Sequence, residues 1–438
     1  MVSRGWVVKT IDDLKASTPG SIAIGPFGSR MKRDNYVQYG TPVIRGTNLG
    51  KTKSFVGDFV YVSPEFAAGL GNCNVYEGDL VFPHRGSIGE VGIVTGGTNA
   101  HYVLSTSMMK VTVDHNRVNP LYLFYFFRSR YGRYELLKNA SQVGTPGIAT
   151  PLTSLRSIRV PVPPLPEQHA IAHILGSLDD KIELNHQMNA TLEAIARAIF
   201  KSWFVDFDPV RANRGELDSL PPDVLALFPD TFAESELGAI PAGWEVETLG
   251  KVAKNLRRNV DPDDLPPHTP YIGLGHMPQE SISLTEWGEA QEVGSTKRQF
   301  KEGEILFGKL RPYFHKVGIA PVDGICSTDI VVIMPKQPNW YAFTLCHFSS
   351  AEFIDYTTAV STGTKMPRTK WRDMSRYEIV VPPKEVAVTF GQLVEPMFHK
   401  IRSNILESRT LADLRDTLLP KLISGELRVP DTMIENEE

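Results

Sequence analysis

The stretch EQHAIAHILGSLDDKIELNHQMNATLEAIARAIFKSWF, Glu167–Phe204, runs for roughly 38 residues without a proline, enough for a helix of about 57 Å. Its apolar side chains recur at Ile171, Leu175, Leu178, Ile182, Leu192, Ile199 and Trp203, in steps of three and four. That spacing is a coiled-coil seam. Filling the gaps places Asn185, Asn189 and Ala196 in the same stripe. The segment closes on two aromatic clusters, FKSWFVDFDPV from Phe200 to Val210.

A second run of this kind lies near the C-terminus. Phe390, Leu393, Met397, Ile401, Asn404, Ser408, Leu411, Leu418 and Leu422 form its stripe, and LPKLISGELRV, Leu419–Val429, closes it. Asn185 and Asn404 are 219 residues apart (404 minus 185), so a polar residue stands at the same level of both stripes. A seam asparagine fixes register at a cost in stability. Neither helix can bury its stripe alone, and the pair is expected to pack antiparallel.

Outward from the helices, the chain repeats itself. WVVKTI at Trp6 matches WEVETL at Trp244, YEGDLVF at Tyr76 matches KEGEILF at Lys301, and EVGIV at Glu90 matches KVGIA at Lys316. VGTPG at Val143 matches TGTKM at Thr362, and IRVPVPP at Ile158 matches YEIVVPP at Tyr377. The order is kept while the offset shrinks, as two divergent copies with different loop lengths require. Each copy reads as a globular part rich in short strands, a stiff Val-Pro junction and a long helix. LYLFYFFRSRYGRYELL, from Leu121, reads as the one obvious helix of the first globular part, with Arg128, Arg130 and Arg133 reaching outward.

Composition excludes several classes. The 42% hydrophobic content over 438 residues supports more than one core, and no apolar run is long enough for a membrane helix or signal peptide. A cytoplasmic, multidomain protein with no membrane partner is expected. Cys73, Cys326 and Cys346 are too far apart in sequence for a CxxC zinc pair or a disulfide framework, and read as buried thiols. A net charge of −4 requires any nucleic-acid face to be local.

Catalytic motifs fail one by one. GEILFGKL, Gly303–Leu310, has leucine where a phosphate loop needs Ser or Thr, and RGTNLGKTK lacks the first glycine. YIGLG at Tyr271 is a lone GxG, and NPLY at Asn119 lacks the second proline of an adenine-methyltransferase tetrapeptide. His169 and His173 sit one helical turn apart with no evident third metal ligand. No catalytic or metal residue is assigned, and the chain reads as a binder.

The central run from PPLPEQ to FVDFDPV resembles the central conserved region of Type I restriction-modification specificity (S) subunits, and LRDTLLPKLISGELRV resembles their distal conserved region. GDLVFPHRGSIGEVGIV and GTPGIATPLTSLRSIRVPVPPLPEQ resemble framework segments of their target recognition domains, so the resemblance spans nearly the whole chain. It implies an α+β fold: two duplicated mixed α/β target recognition domains separated by two long helices forming an antiparallel coiled coil, pseudo-twofold symmetric. The expected boundaries are 1–165 and 206–384 for the recognition domains, the latter with its linker. The helices are expected at 166–205 and 385–425, and an acidic tail at 426–438.

By the same resemblance each domain reads one half of a bipartite site in double-stranded DNA, and the helices act as ruler and dock. The partners implied are two modification (methyltransferase) subunits and the restriction (motor nuclease) subunits. They bring S-adenosylmethionine, ATP and magnesium, and no cofactor is expected in this chain. GKLRPYFHKVGIA departs from the glycine-serine pattern of the first copy, which separates the two sets of DNA contacts. The rival readings are a degenerate methyltransferase or nuclease, active alone, and a coiled-coil scaffold or orphan DNA-binding protein.

Base edges are read by Arg, Lys, Asn and Gln, with other basic groups on phosphates. In the first domain the candidates are Ser29, Arg30, Lys32, Arg33, Arg45, Asn48, His84, Arg85 and Ser87. In the second they are Lys309, Arg311, Tyr313, His315, Lys365, Arg368 and Lys370. Asn185, Trp203, Phe204, Asn404, Leu422 and Ile423 are assigned to the spacer and to partner docking.

Overall fold

The fold is taken from a computed structural model that describes residues 5–28, 30–96, 101–141, 145–218, 220–430 and 432. The chain divides into two units, one of residues 1–183 with 410–438 and the other of residues 184–409. Both divisions fall inside long helices, Leu165–Phe204 and Lys384–Ser424.

In the first unit, Val7–Thr10 pairs antiparallel with Arg159–Val162, so the Val-Pro segment is a strand and not merely a junction. An antiparallel sheet follows the order Ile22–Ile24, Met108–Val111, Leu80–Pro83, Gly92–Ile93. A five-stranded sheet has the order Tyr36–Val37, Val60–Val62, Thr41–Ile44, His101–Leu104, Asn74–Tyr76, with Thr41–Ile44 parallel to His101–Leu104. Tyr122 to Phe127 are all fully buried and join Phe82, Ile171 and Leu175 in one core.

The run expected as one helix is two, Pro120–Arg128 and Arg130–Leu137. Ser129 stands in extended conformation between them and its hydroxyl caps the second by accepting from Gly132 N at 3.1 Å. The chain doubles back so tightly that a Cβ on Gly132 would lie 2.1 Å from the Phe126 carbonyl oxygen. Arg128 turns inward instead of outward: it is half-buried, with Nη1 3.4 Å from the carbonyl oxygens of Gly50 and Thr52.

The second unit repeats this plan. Glu245–Thr248 pairs with Glu378–Val381, and the four-stranded sheet runs Ala253–Leu256, Ile330–Pro335, Ile305–Gly308, Val317–Ile319. In the other sheet Pro270–Ile272 lies parallel to Gly324–Cys326, as Thr41–Ile44 does to His101–Leu104. The fifth strand differs between the copies. Asn259–Val260 adds beside Lys297–Phe300, whereas Tyr36–Val37 adds at the opposite edge of the first copy's sheet.

The repeated EGD and EGE turns have a common cause. Gly78 and Gly303 take left-handed φ of +86° and +80°, and the acid that follows accepts from the backbone three residues back. Tyr76 N donates to Asp79 Oδ2 at 3.0 Å and Lys301 N to Glu304 Oε2 at 2.8 Å. Both acids are buried and neutralised, Asp79 by Lys110 at 2.9 Å and Glu304 by Arg258. Burial of such a charge needs a partner of this kind.

The long helices pair antiparallel in each unit. In the second, Asn185 Nδ2 donates to Ser408 Oγ at 3.2 Å and to Glu407 Oε2 at 3.0 Å, and Asn404 Nδ2 donates to Asn189 Oδ1 at 2.8 Å. Asn189 and Ser408 are themselves 219 apart (408 minus 189), so the two polar contacts are one contact made twice. In the first unit Asp179, fully buried, takes Arg415 Nη1 at 2.6 Å and the Tyr125 hydroxyl at 2.8 Å. Burial pulls the Arg415 pKa down, but the hydrogen bonds and charges of Asp179 and Asp416 outweigh it.

The stripe of Glu167–Phe204 has no exposed member. That of the C-terminal helix shifts by one residue at its start. Leu393 is 44% exposed and Val394 and Phe398 are buried beside Phe390 in its place. Trp203 and Phe204 face the second unit's core, stacking edge-on against residues such as Phe228 and Phe343, and Leu422 and Ile423 face the first unit's core. Their side chains therefore pack mainly inside their own units.

Candidate nucleic-acid interface

In the first unit, hydrogen bonds gather five loop segments. Gly25 N donates to Met108 O at 2.7 Å, Ser105 N to Ile44 O at 2.9 Å, His84 N to Ser107 O at 2.8 Å and Gly86 N to Pro146 O at 2.9 Å. The Arg45–Asn48 and His84–Ser87 turns touch, since a Cβ on Gly46 would lie 3.5 Å from Ser87 Oγ. Arg85 and Ser87 are exposed beside Gly86, whose φ of +81° sets the bend. Arg30, Lys32 and Arg33 are exposed on the neighbouring segment, Arg30 Nη2 donating to Gly69 O at 3.3 Å. Ser29 lies outside the described residues.

Two candidates are corrected. Asn48 is buried, its Oδ1 accepting from Arg45 N at 3.1 Å and its Nδ2 donating to the carbonyls of Val56 and Asp58. With those bonds made it builds the turn and offers no edge to a base. The second copy makes the same turn with His276, whose Nδ1 accepts from Gly273 N at 3.1 Å. His84 is likewise buried, with Nε2 3.2 Å from Thr106 O, and burial lowers its pKa. Arg45 is half-buried with Nη2 on Asp58 O at 2.6 Å.

In the second unit the two candidate segments join. Arg311 N donates to Pro367 O at 2.7 Å, Thr369 N to Lys309 O at 3.0 Å, and Leu310 bridges Arg368. Arg311 and His315 adopt φ of +51° and +49°, a left-handed backbone uncommon for such residues, on either side of the Pro312–Phe314 turn. That strain lifts Tyr313 to 50% exposure, while Arg311 sits over the Phe314 ring and His315 Nε2 lies 2.9 Å from Ser349 O. Lys365, Arg368 and Lys370 are exposed.

Sequence reading missed the groups beneath this surface. Asp329 Oδ1 takes Arg368 Nε at 3.0 Å and Oδ2 takes Nη2 at 3.3 Å, with Lys309 Nζ at 4.0 Å. Burial lowers the Lys309 pKa, Asp329 opposes this, and the charges of Arg298, Arg368 and Arg257 add to the lowering. Asp329 stands just before the strand Ile330–Pro335, and Arg298 lies in another strand, so nothing in local spacing marks either. Among the described residues no group of three or more His, Cys, Asp or Glu could hold a metal, and the cysteines are free and buried. No helix among them is long and apolar enough to cross a membrane.

Each of the two α+β units thus carries a basic, glycine-turned loop surface and its own stretch of paired helices. Residues 4–194 match the family described as Type I restriction modification DNA specificity domain. The chain is 28% identical over 455 residues to the MjaIX specificity subunit of Methanocaldococcus jannaschii, covering 98% of this chain and 95% of that one. It is 29% identical to the HindI specificity subunit of Haemophilus influenzae, covering 75% of this chain and 82% of that one. The crystal structure of an S subunit from M. genitalium shares the fold, with a TM-score of 0.57 at 15% identity over 96% of both chains. Along most of its length this chain is similar to Type I restriction-modification specificity subunits.

Proposed function

We propose that this chain is the DNA-binding specificity subunit of a Type I restriction-modification complex. It reads a bipartite duplex site, one half per recognition domain, and directs adenine methylation and cleavage by its partners. Two modification subunits supply S-adenosylmethionine chemistry, and restriction subunits supply ATP- and magnesium-dependent translocation and cutting. The chain itself contributes no catalytic group. The observation that carries the reading is the duplication itself: the same four-stranded sheet twice and a second sheet that differs only in its added fifth strand, each copy ending in one of the paired helices.

The recognition domains are proposed at 1–165 and 206–384, with the helices between them as the ruler that sets the distance between half-sites. The test is a segment exchange in the assembled complex. Replacing residues 206–384 by the matching segment of a relative with another specificity should change one half of the methylated sequence and keep the other. Change in both halves, or in neither, overturns the reading.

A further inference from the structure

Arg368 is held as no other candidate contact is. Its backbone is fixed on both sides, exchanging hydrogen bonds with Thr362 at 2.9 and 3.0 Å and bridging Leu310. Its guanidinium is fixed along the Nε–Nη2 edge by both oxygens of Asp329. The Nη1–Nη2 edge remains, on a side chain 44% exposed. By contrast, Arg30 and Arg311 are each held by one hydrogen bond to a carbonyl, from Nη2 alone.

An exposed ion pair of this kind adds little to stability. What it does is remove rotamer freedom before any ligand arrives, and it leaves two parallel N–H donors. That fork matches guanine O6 and N7 and matches no other base edge in the major groove. A phosphate would also accept the fork, but such a contact carries no sequence information.

Resting on the function proposed above, we infer that Arg368 reads a guanine in one half of the DNA site, with Asp329 as its positioning residue. Asp329 is also a discriminator. At any other base the carboxylate stays where it is, and Lys309, 4.0 Å away, is held to it and not lent to the DNA.

The test uses the whole complex with its modification subunits. Genome-wide methylation is mapped for the wild type, Arg368→Ala, Arg368→Gln and Asp329→Asn, and binding is measured on duplexes carrying 7-deazaguanine, which lacks N7. The wild-type motif should hold an invariant G·C pair in one half. Both Arg368 variants should admit other bases at that one position, and Asp329→Asn should relax the same position less. Deazaguanine there should weaken wild-type binding about 5- to 150-fold and leave Arg368→Ala nearly unaffected.

A half-site without any G·C pair, a strict guanine in both Arg368 variants, or relaxation spread over both halves would overturn the assignment and leave the specificity role standing. No chain-dependent methylation by the wild type would overturn the role and the assignment together.

Discussion

Replacing Arg415 by methionine keeps the length of the side chain and removes its charge from a site where Asp179 is fully buried. The carboxylate would keep the Tyr125 hydroxyl at 2.8 Å and lose the guanidinium at 2.6 Å. An uncompensated buried charge costs about 3–5 kcal/mol, whereas replacing both partners by apolar groups of similar volume is close to neutral. In urea, with a slope of about 2–3 kcal/mol/M for a unit of this size, Arg415→Met should lower the first unit's midpoint by roughly 1–2.5 M. The double variant Asp179→Leu with Arg415→Met should recover most of that loss. Tryptophan fluorescence reports it, since Trp6 is buried in the first unit with its indole N–H on Glu167. A midpoint unchanged in the single variant, or a double variant no better than the single, would refute the view that this ion pair matters by satisfying a buried charge.

Other perturbations have similarly direct readouts. His347 packs between Phe200 and Phe343 with Nε2 unpartnered, and burial pushes its pKa down to about 3. A neutral folded imidazole opposes an unfolded one that protonates near 6.5, so stability falls with pH between about 6.5 and 3, by about 3 kcal/mol at pH 4. His347→Leu should show a shallower acid loss in urea midpoints measured from pH 7 to 4, and an identical slope would contradict this. Gly25 leaves no room for a side chain, as a Cβ would lie 1.9 Å from the Ser105 carbonyl oxygen. Gly25→Ala should therefore displace the turns under the first recognition surface and abolish or relax recognition of one half-site in methylation maps, with the other half retained.

The duplication and the helices were legible because they depend on local periodicity and on turns whose chemistry is written in a few adjacent residues. The EGD and EGE turns need glycine for φ and an acid for a backbone donor, so the same letters recur wherever the turn does. The seam was less legible where it carries charge. Arg415 and Asp179 lie at its buried level, yet polarity hid both from an apolar stripe. At Leu393 and Val394 two adjacent apolar residues fit the spacing equally, and the packing of Phe390 and Phe398 into the second unit's core decides for Val394.

Recognition residues were legible by type and not by role. Asn48 and His84 carry the chemistry of base readers but satisfy turns, a distinction made by partners up to 22 residues away. Asp329 was invisible for the converse reason. Its importance comes from Arg368 and Lys309, brought to it by strand pairing across the second unit.

The most direct test of the account is long-read methylation mapping of a host expressing this chain with its modification subunit, against the same host lacking the chain. An interrupted, two-part adenine motif should appear only when the chain is present. The same methylation pattern in both hosts would contradict it.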